Sequence, residues 1–424
     1  MKIEKLILEN FKGVKDRQEL EIKPITIFCG PNSSGKSSCI HALAALAQTM
    51  KLSNTQVPIV LDDEFAQIHL GRFMDVVHSR SIDDSFRIGV GLDSVKYIIS
   101  ATKPSPKVPP SLAIEVEYKA KGNVQEVYIQ SAKIDFRKQQ YFLSKVDEEF
   151  TISQGKNPKQ LPFNMISTGK FGFRPKDVFE KAGKPNDEIM QAFFLGENIN
   201  RNLSEALTKV LYLGPFRQGP LRRYPTRGSQ PSEVGAAGEA AIPMLANEFS
   251  RSDMDHPNLE KISEWIDKMG LGKRVVIAPV ANTDLYDVSL NLDDGASLSL
   301  PDLGYGISQV LPVLVQCSFA PRGSTLLFEQ PELHLHEGAA RKLGAVFVDV
   351  VKEKNITILA ETHSPYLVME ILQCIRDGLI DKNDFVLYDV CRRDGQSVFK
   401  KVLIETEDDG SLWLEHPWTQ GLER

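Results

Sequence analysis

Cysteine is scarce in this chain, and the few cysteines form no pattern. The 424 residues hold five, an odd number with no C-x-x-C spacing. That excludes a disulfide framework and a cysteine zinc cluster, and it points to a reduced, cytoplasmic setting. Long apolar runs are missing too. The best candidate, Val310-Leu311-Pro312-Val313-Leu314-Val315, is broken by proline and falls far short of the roughly 20 residues of a membrane helix. Met1-Lys2-Ile3-Glu4-Lys5-Leu6 alternates charged and apolar residues like a strand, so no signal peptide is expected. No excess of positive charge exists either. With a net charge of −6, nucleic acid could be met only by a local patch. No internal repeat is visible, and without sustained heptads a long coiled-coil arm is not expected. What remains is ordinary globular composition, 42% hydrophobic and 25% charged, long enough for a large core and two lobes.

One stretch organises the rest. Gly30-Pro31-Asn32-Ser33-Ser34-Gly35-Lys36-Ser37-Ser38 fits G-x-x-x-x-G-K-[ST]. Before it, Ile25-Thr26-Ile27-Phe28-Cys29 reads as a buried strand. After it, Cys39 to Ala47 is rich in helix formers. In such a setting successive N–H groups of the loop and the positive end of the helix dipole face phosphates. Lys36 would reach the β- and γ-phosphates of ATP, and the Ser37 hydroxyl would ligate Mg²⁺. The other reading is a glycine turn that happens to precede Lys-Ser.

The chain opens with a strand, Lys2 to Leu8, and a turn, Asn10-Phe11-Lys12-Gly13. Residues 61–77, including Gln67, read as a loop with short helical pieces. From Ser85 to Gln130 the period is two, with strands expected at Phe86–Val90, Lys96–Ile99, Ala113–Tyr118 and Glu126–Ile129, and an exposed loop at Pro104–Pro110. Residues 135–185 are polar, Lys-rich and punctuated by Pro and Gly, an insertion whose structure the pattern does not give. Asp187–Val210 reads as a helix, and Leu211–Pro215 as a return to the core. Arg217, Arg222, Arg223 and Arg227 then lie among Phe216 and Tyr224. They could touch phosphates of a nucleotide or of nucleic acid, or form a solvated loop with one or two ion pairs.

Three later stretches add to the loop. Asp302-Leu303-Gly304-Tyr305-Gly306-Ile307-Ser308-Gln309 leads into an apolar helical run, either an anion site at a helix start or a loop with a capping serine. Ser324 to Glu329 is a buried strand ending in acid, followed by Gln330-Pro331-Glu332; this arrangement sets a carboxylate against phosphate-bound Mg²⁺. His334 and His336 lack a third metal ligand at suitable spacing, so no zinc site is expected. Ile356 to His363 reads as a strand ending at a histidine, with Ser364-Pro365 capping a helix from Tyr366 to Arg376. A histidine there can reach a γ-phosphate.

Together, N-F-K-G, G-P-N-S-S-G-K-S-S, D-L-G-Y-G-I-S-Q, L-L-F-E-Q-P-E-L-H-L-H and E-T-H-S-P resemble the ABC-type ATPases of the RecF/SMC/OLD group. More narrowly the chain is similar to the short bacterial AAA-family ATPases of phage-defence and nuclease-associated operons. The resemblance covers residues up to about 80 and from about 210 to 424. It implies an α/β fold: a P-loop ABC-type head with a mixed sheet, an antiparallel lobe and an insertion. The expected division is 1–134 and 211–424 for the two parts of the head, with 135–210 as a partly helical insertion. The resemblance further implies a homodimer, or a higher homo-oligomer, with ATP held between P-loops and signature loops of opposite copies. By motif, the phosphate-binding set is Asn32, Ser33, Ser34, Gly35, Lys36, Ser37 and Ser38, with Mg²⁺ on Ser37 and Glu329. Gly306, Ser308 and Gln309 would act in trans, His336 and Glu337 lie in the crossing segment, and His363 is the switch histidine. Asn10 and Lys12 are similar to residues that touch nucleotide, and Gln67 stands where a further glutamine is expected.

One position departs from the family. The residue after the strand-end acid is usually a glutamate that orients or deprotonates water; here it is Gln330. An amide positions water but accepts no proton. Glu332 is the nearest carboxylate that could substitute, and slow hydrolysis is expected. Two functions of different class follow: a regulator of a separate effector chain, expected to be a nuclease, or a DNA-repair ATPase that binds DNA through its arginines, like RecF. A transporter subunit is disfavoured by the Gly-Tyr-Gly-Ile-Ser-Gln signature, and a small kinase needs neither signature nor switch histidine.

Overall fold

The computed structural model describes residues 1–52, 57–96, 111–122, 125–155, 159–167, 170–176, 187–225, 231–251, 255–406 and 412–414. In chain order the elements begin β1 (Ile3–Glu9), β2 (Gln18–Glu21), β3 (Ile25–Cys29), α1 (Ser37–Lys51) and α2 (Phe73–Val76). Then come β4 (Phe86–Leu92), β5 (Leu112–Lys121), β6 (Glu126–Phe136), β7 (Gln139–Val146), β8 (Glu149–Gln154), β9 (Lys159–Ser167), β10 (Phe173–Pro175) and α3 (Asp187–Leu207). They are followed by β11 (Val210–Leu213), β12 (Tyr224–Pro225), α4 (Ala241–Arg251), α5 (Pro257–Lys268), β13 (Arg274–Pro279), β14 (Leu285–Asn291) and β15 (Ser297–Ser299). The chain continues through α6 (Tyr305–Phe319), β16 (Thr325–Glu329), α7 (Glu337–Lys354), β17 (Thr357–Glu361) and α8 (Pro365–Arg376). It closes with β18 (Phe385–Arg393), β19 (Gln396–Lys401), β20 (Ile404–Thr406) and β21 (Leu412–Leu414). Two compact units result: residues 1–22, 32–210 and 391–399 form the first, and 23–31, 211–390 and 400–424 the second.

The first unit is built on a nine-stranded sheet in the order β10-β9-β8-β7-β6-β5-β4-β1-β2, with antiparallel pairing throughout. Alternation does the work here. On β5, Leu112, Ile114, Val116 and Tyr118 are buried while the residues between them are half-exposed. Phe86 stacks on Tyr118 and tilts against Phe11 and Phe73, tying the Asn10–Gly13 turn to the sheet. Residues 139–175, which the sequence pattern leaves without a structure, add β7 to β10 to this same sheet. Their hairpin signal is weak because the β6–β7 turn is Arg137-Lys138, both in the left-handed region at φ 52° and 65°, where Asn-Gly would be usual. The strand expected at Lys96–Ile99 and the loop at Pro104–Pro110 lie outside the described residues, apart from Lys96, which is in no strand.

A six-stranded sheet, β11-β16-β17-β3-β18-β19, belongs to the second unit apart from residues 391–399, and its β16, β17, β3 and β18 are mutually parallel. β3, β16 and β17 are buried at every position, which is why they read as continuous apolar runs rather than alternating ones. β17 ends at Glu361, two residues before the expected end at His363. A smaller sheet, β12-β14-β13 with β15, packs with α4 and α5. The fold is α/β with a mixed sheet, and among the described residues no helix is long and apolar enough to cross a membrane. Every cysteine is a free thiol, and burial pushes Cys317 up to about 12.

Candidate nucleotide site

The loop begins where β3 ends. Gly30 has φ 138°, and a Cβ there would overlap the carbonyl oxygen of Val390 on β18. Both facts demand glycine. Gly30→Ala is expected to cost about 3 kcal/mol, read as a lower denaturant midpoint at unchanged slope. In the first unit the loop turns through Ser33 at φ 60° and Gly35 at φ 97°. Gly35 and Gly13 both press on Ser397, whose amide donates to the Gly13 carbonyl at 2.7 Å. A side chain at either glycine would overlap the Ser397 hydroxyl.

The loop then enters α1 with Lys36, Ser34 and Ser38 buried. Lys36, at the N-cap of α1, makes no side-chain cap, and no acidic residue lies in the first turn. The buried Ser34 hydroxyl has no hydrogen-bond partner among the described residues. A helix start without an acidic residue, beside a buried hydroxyl without a partner among the described residues, suits a bound phosphate. Asn10 and Lys12 take left-handed φ of 52° and 50° in the turn that leads to Gly13. Asn10 donates its amide to the Ser85 carbonyl at 2.6 Å, and Lys12 Nζ meets His41 Nδ1 on α1 at 2.7 Å. Asn10 also lines an open, polar cleft of about 650 Å³ with Glu9, Asp84 and Arg87. Gln67 is held to α1 by Gln48, a buried residue that carries no signal in the sequence pattern. Gln48 Oε1 accepts from the amides of Gln67 and Ile68, each at 3.1 Å, and its Nε2 donates to the Val60 carbonyl at 2.8 Å. The Gln67 side-chain oxygen is buried without a partner among the described residues.

In the second unit the acidic strand end is built from two parallel strands. Glu329 on β16 stands in register with Glu361 on β17, and both are buried. Tyr212 on β11 donates to Glu329 Oε1 at 2.7 Å; burial first, and then the charges of Glu329 and Glu361, raise its phenol far above the ordinary value. Gln330 follows at φ 47°, with its amide on the Glu361 carbonyl at 2.9 Å. Arg217 locks this turn. It is 7% exposed, donates Nη2 to the carbonyls of Glu329 and Gln330 and Nη1 to that of Gln309, all at 3.0 Å. Burial lowers it to about 10, so it stays charged at neutral pH.

Glu332 faces the other way, toward the end of β17. Its Oε1 accepts from the Thr362 hydroxyl at 2.6 Å and from the His363 amide at 3.0 Å. His363 is exposed. Ser364 precedes α8 but makes no side-chain cap; its amide instead donates to Thr362 Oγ1 at 2.9 Å. In the signature stretch, Gly304 and Tyr305 are exposed, while Ser308 donates to the Tyr305 carbonyl and, like Gln309, is buried. Gly306 is needed for packing, since a Cβ would come within 2.7 Å of the His334 carbonyl oxygen. Tyr305 meets His334 edge-on at 5.3 Å, and the Phe216 side chain is 90% exposed. His336 caps α7 by accepting from the Ala339 amide, and Glu337 lies in the first turn. No group of three or more His, Cys, Asp or Glu could hold a metal among the described residues.

The arginine cluster divides. Arg217 is interior, Arg222 pairs with Asp302 at 2.7 Å, Arg223 pairs with Asp287 at 3.3 Å, and Arg227 lies outside the described residues. The internal role of Arg217 had no sequence signal, because an arginine amid glycine and proline reads as surface. Glu361 and Tyr212 had a partial one, since each sits at or near the end of a strand-like apolar run, but their pairing with Glu329 had none.

A glycine loop between a buried strand and a buried helix, with an acid-ended parallel strand in the same sheet as β3, defines a P-loop nucleotide-binding ATPase. Residues 1–214 match the family model described as AAA ATPase domain, and residues 198–370 match one described as AAA domain, putative AbiEii toxin, Type IV TA system. The chain belongs to the AAA ATPase domain family. No curated protein matches it. Among solved structures it is similar to an SMC head bound to the C-winged helix domain of ScpA, at 11% identity and TM-score 0.48, over 95% of this chain and 97% of that one. It is also similar to the SMC head domain from Thermotoga maritima, at 11% identity and TM-score 0.39, over 95% and 100%. A third, the Smc head domain with an extended coiled coil bound to the C-terminal domain of ScpA derived from Pyrococcus furiosus, has 11% identity and TM-score 0.43, over 94% and 96%.

Proposed function

We propose that the protein binds ATP and Mg²⁺, pairs with a second copy around the nucleotide, hydrolyses it slowly and uses the closed state to regulate a separate effector. The observation that carries this reading is Gln330, held at φ 47° by Arg217 and by the Glu361 carbonyl, at the position where the resemblance implies a glutamate base. The loop at 30–38 holds the phosphates, with Lys36 on the β- and γ-phosphates. Ser37 and Glu329 are the oxygen donors for Mg²⁺, which would neutralise charge developing on the phosphates. His363 contacts the γ-phosphate, and Gln330 orients the water without removing its proton. The exposed Tyr305 in the signature stretch and the exposed Phe216 suit contact with a second copy, and the second family model's wording, a putative AbiEii toxin of a Type IV TA system, suits a defence setting; the effector expected there is a nuclease. Direct DNA binding is not favoured, because Arg217 is interior, Arg222 and Arg223 face carboxylates, and the net charge is −6.

Light scattering with ATP and Mg²⁺ tests the reading. The wild type is expected to double in mass and to stay so for many minutes, whereas Lys36→Ala remains at its nucleotide-free mass. A mass that ignores ATP would overturn the clamp.

A further inference from the structure

We propose that Glu332 is a positioning residue that latches the switch turn, rather than the base that replaces the missing glutamate; the proposal rests on the reading of this chain as a hydrolysing ATPase. Four observations converge on it. One carboxylate oxygen of Glu332 already accepts two hydrogen bonds, from the Thr362 hydroxyl and the His363 amide. Thr362 is fully buried, and its hydroxyl in turn accepts from the Ser364 amide, so the bonds run from the β16 turn to the first residue before α8. The other oxygen, Oε2, is buried with no hydrogen-bond partner among the described residues, so it is shut off from bulk water. Arg217 supplies the compensating positive charge, and its own contacts fix the backbone of Glu329 and Gln330 a few residues upstream.

The physical consequence is specific. A carboxylate oxygen that accepts two hydrogen bonds in a buried setting orients the groups that donate to it. His363 projects from the backbone amide that Glu332 holds, so the position of the imidazole is set by this latch. Glu332 therefore acts through His363 and not on water.

The test separates orientation from proton transfer. Hydrogen exchange is followed in nucleotide-free protein over the peptide 361–372. Glu332→Ala is expected to speed exchange of the His363 and Ser364 amides, whereas Glu332→Gln, whose amide oxygen can accept the same two bonds, keeps them protected. In steady-state ATP hydrolysis, Glu332→Ala is expected to lower kcat by about tenfold or more at nearly unchanged KM, and Glu332→Gln to recover most of that loss. In a His363→Ala background, Glu332→Ala adds no further loss of kcat, since the group it positions is gone. Thr362→Val removes one of the two bonds while leaving Glu332 in place, and is expected to give an intermediate loss should Glu332→Ala fail to fold. Loss of kcat in Glu332→Gln as deep as in Glu332→Ala, or unchanged exchange in Glu332→Ala, overturns the latch. If the wild type itself does not hydrolyse ATP, the functional reading fails, while the exchange measurement still decides whether Glu332 holds the turn.

Discussion

Gln330→Glu is expected to raise single-turnover hydrolysis by about a hundredfold, within the range that a positioned general base contributes. The substitution changes one atom group and almost no volume. The backbone is fixed in either case, by the Glu361 carbonyl on the Gln330 amide and by Arg217 on its carbonyl, so the new carboxylate takes the place of the amide. The left-handed φ is no worse for glutamate than for glutamine. A second signature follows from the chemistry. A carboxylate must be ionised to take a proton, so the variant's kcat falls on the acid side while the wild type, with no base to titrate, lacks that limb. Single-turnover rates across pH check both. A variant no faster than the wild type would falsify the assignment of Gln330 to the water.

Arg217→Ala is expected to be the most damaging change in the second unit, costing about 2–4 kcal/mol and abolishing turnover. The guanidinium fills interior space and bridges three carbonyls from two elements, Gln309 on α6 and Glu329 and Gln330 at the end of β16. The cost comes from the cavity, the stranded carbonyls and the lost alignment together. Its removal also leaves Glu332 without its nearby positive charge. Arg217→Lys keeps the charge but not the fork, and should restore stability more than rate. Denaturant unfolding beside ATP turnover separates the two effects.

Much of this was legible in the residues. Ile25–Cys29, the glycine loop and its helix read directly, because a buried parallel strand is a continuous apolar run and a phosphate loop has a fixed spacing. The strands at Phe86, Ala113 and Glu126 and the helix from Asp187 read through their periods. What could not be read is set by contacts across the chain. Tyr212 on Glu329 and Glu361 opposite Glu329 depend on which strands become neighbours, and the strand order β16-β17-β3-β18 is not written in any local pattern. The same holds for Arg217, whose neighbours in sequence suggest a surface loop. The hairpins after residue 135 were hidden for a different reason: their first turn uses Arg-Lys where Asn-Gly would announce it.

The place of β3 in its sheet also has a bearing on how the protein is made. β3 leads straight into the glycine loop, yet both strands it pairs with, β17 and β18, lie far downstream in the chain. On a ribosome adding about 5–20 residues per second, that strand stays unpaired for on the order of tens of seconds while they are synthesised. An interrupted translation product carrying every residue of the phosphate loop would still lack both edges that hold Gly30 in place. The sheet around β3 is therefore completed only after β17 and β18 have been made.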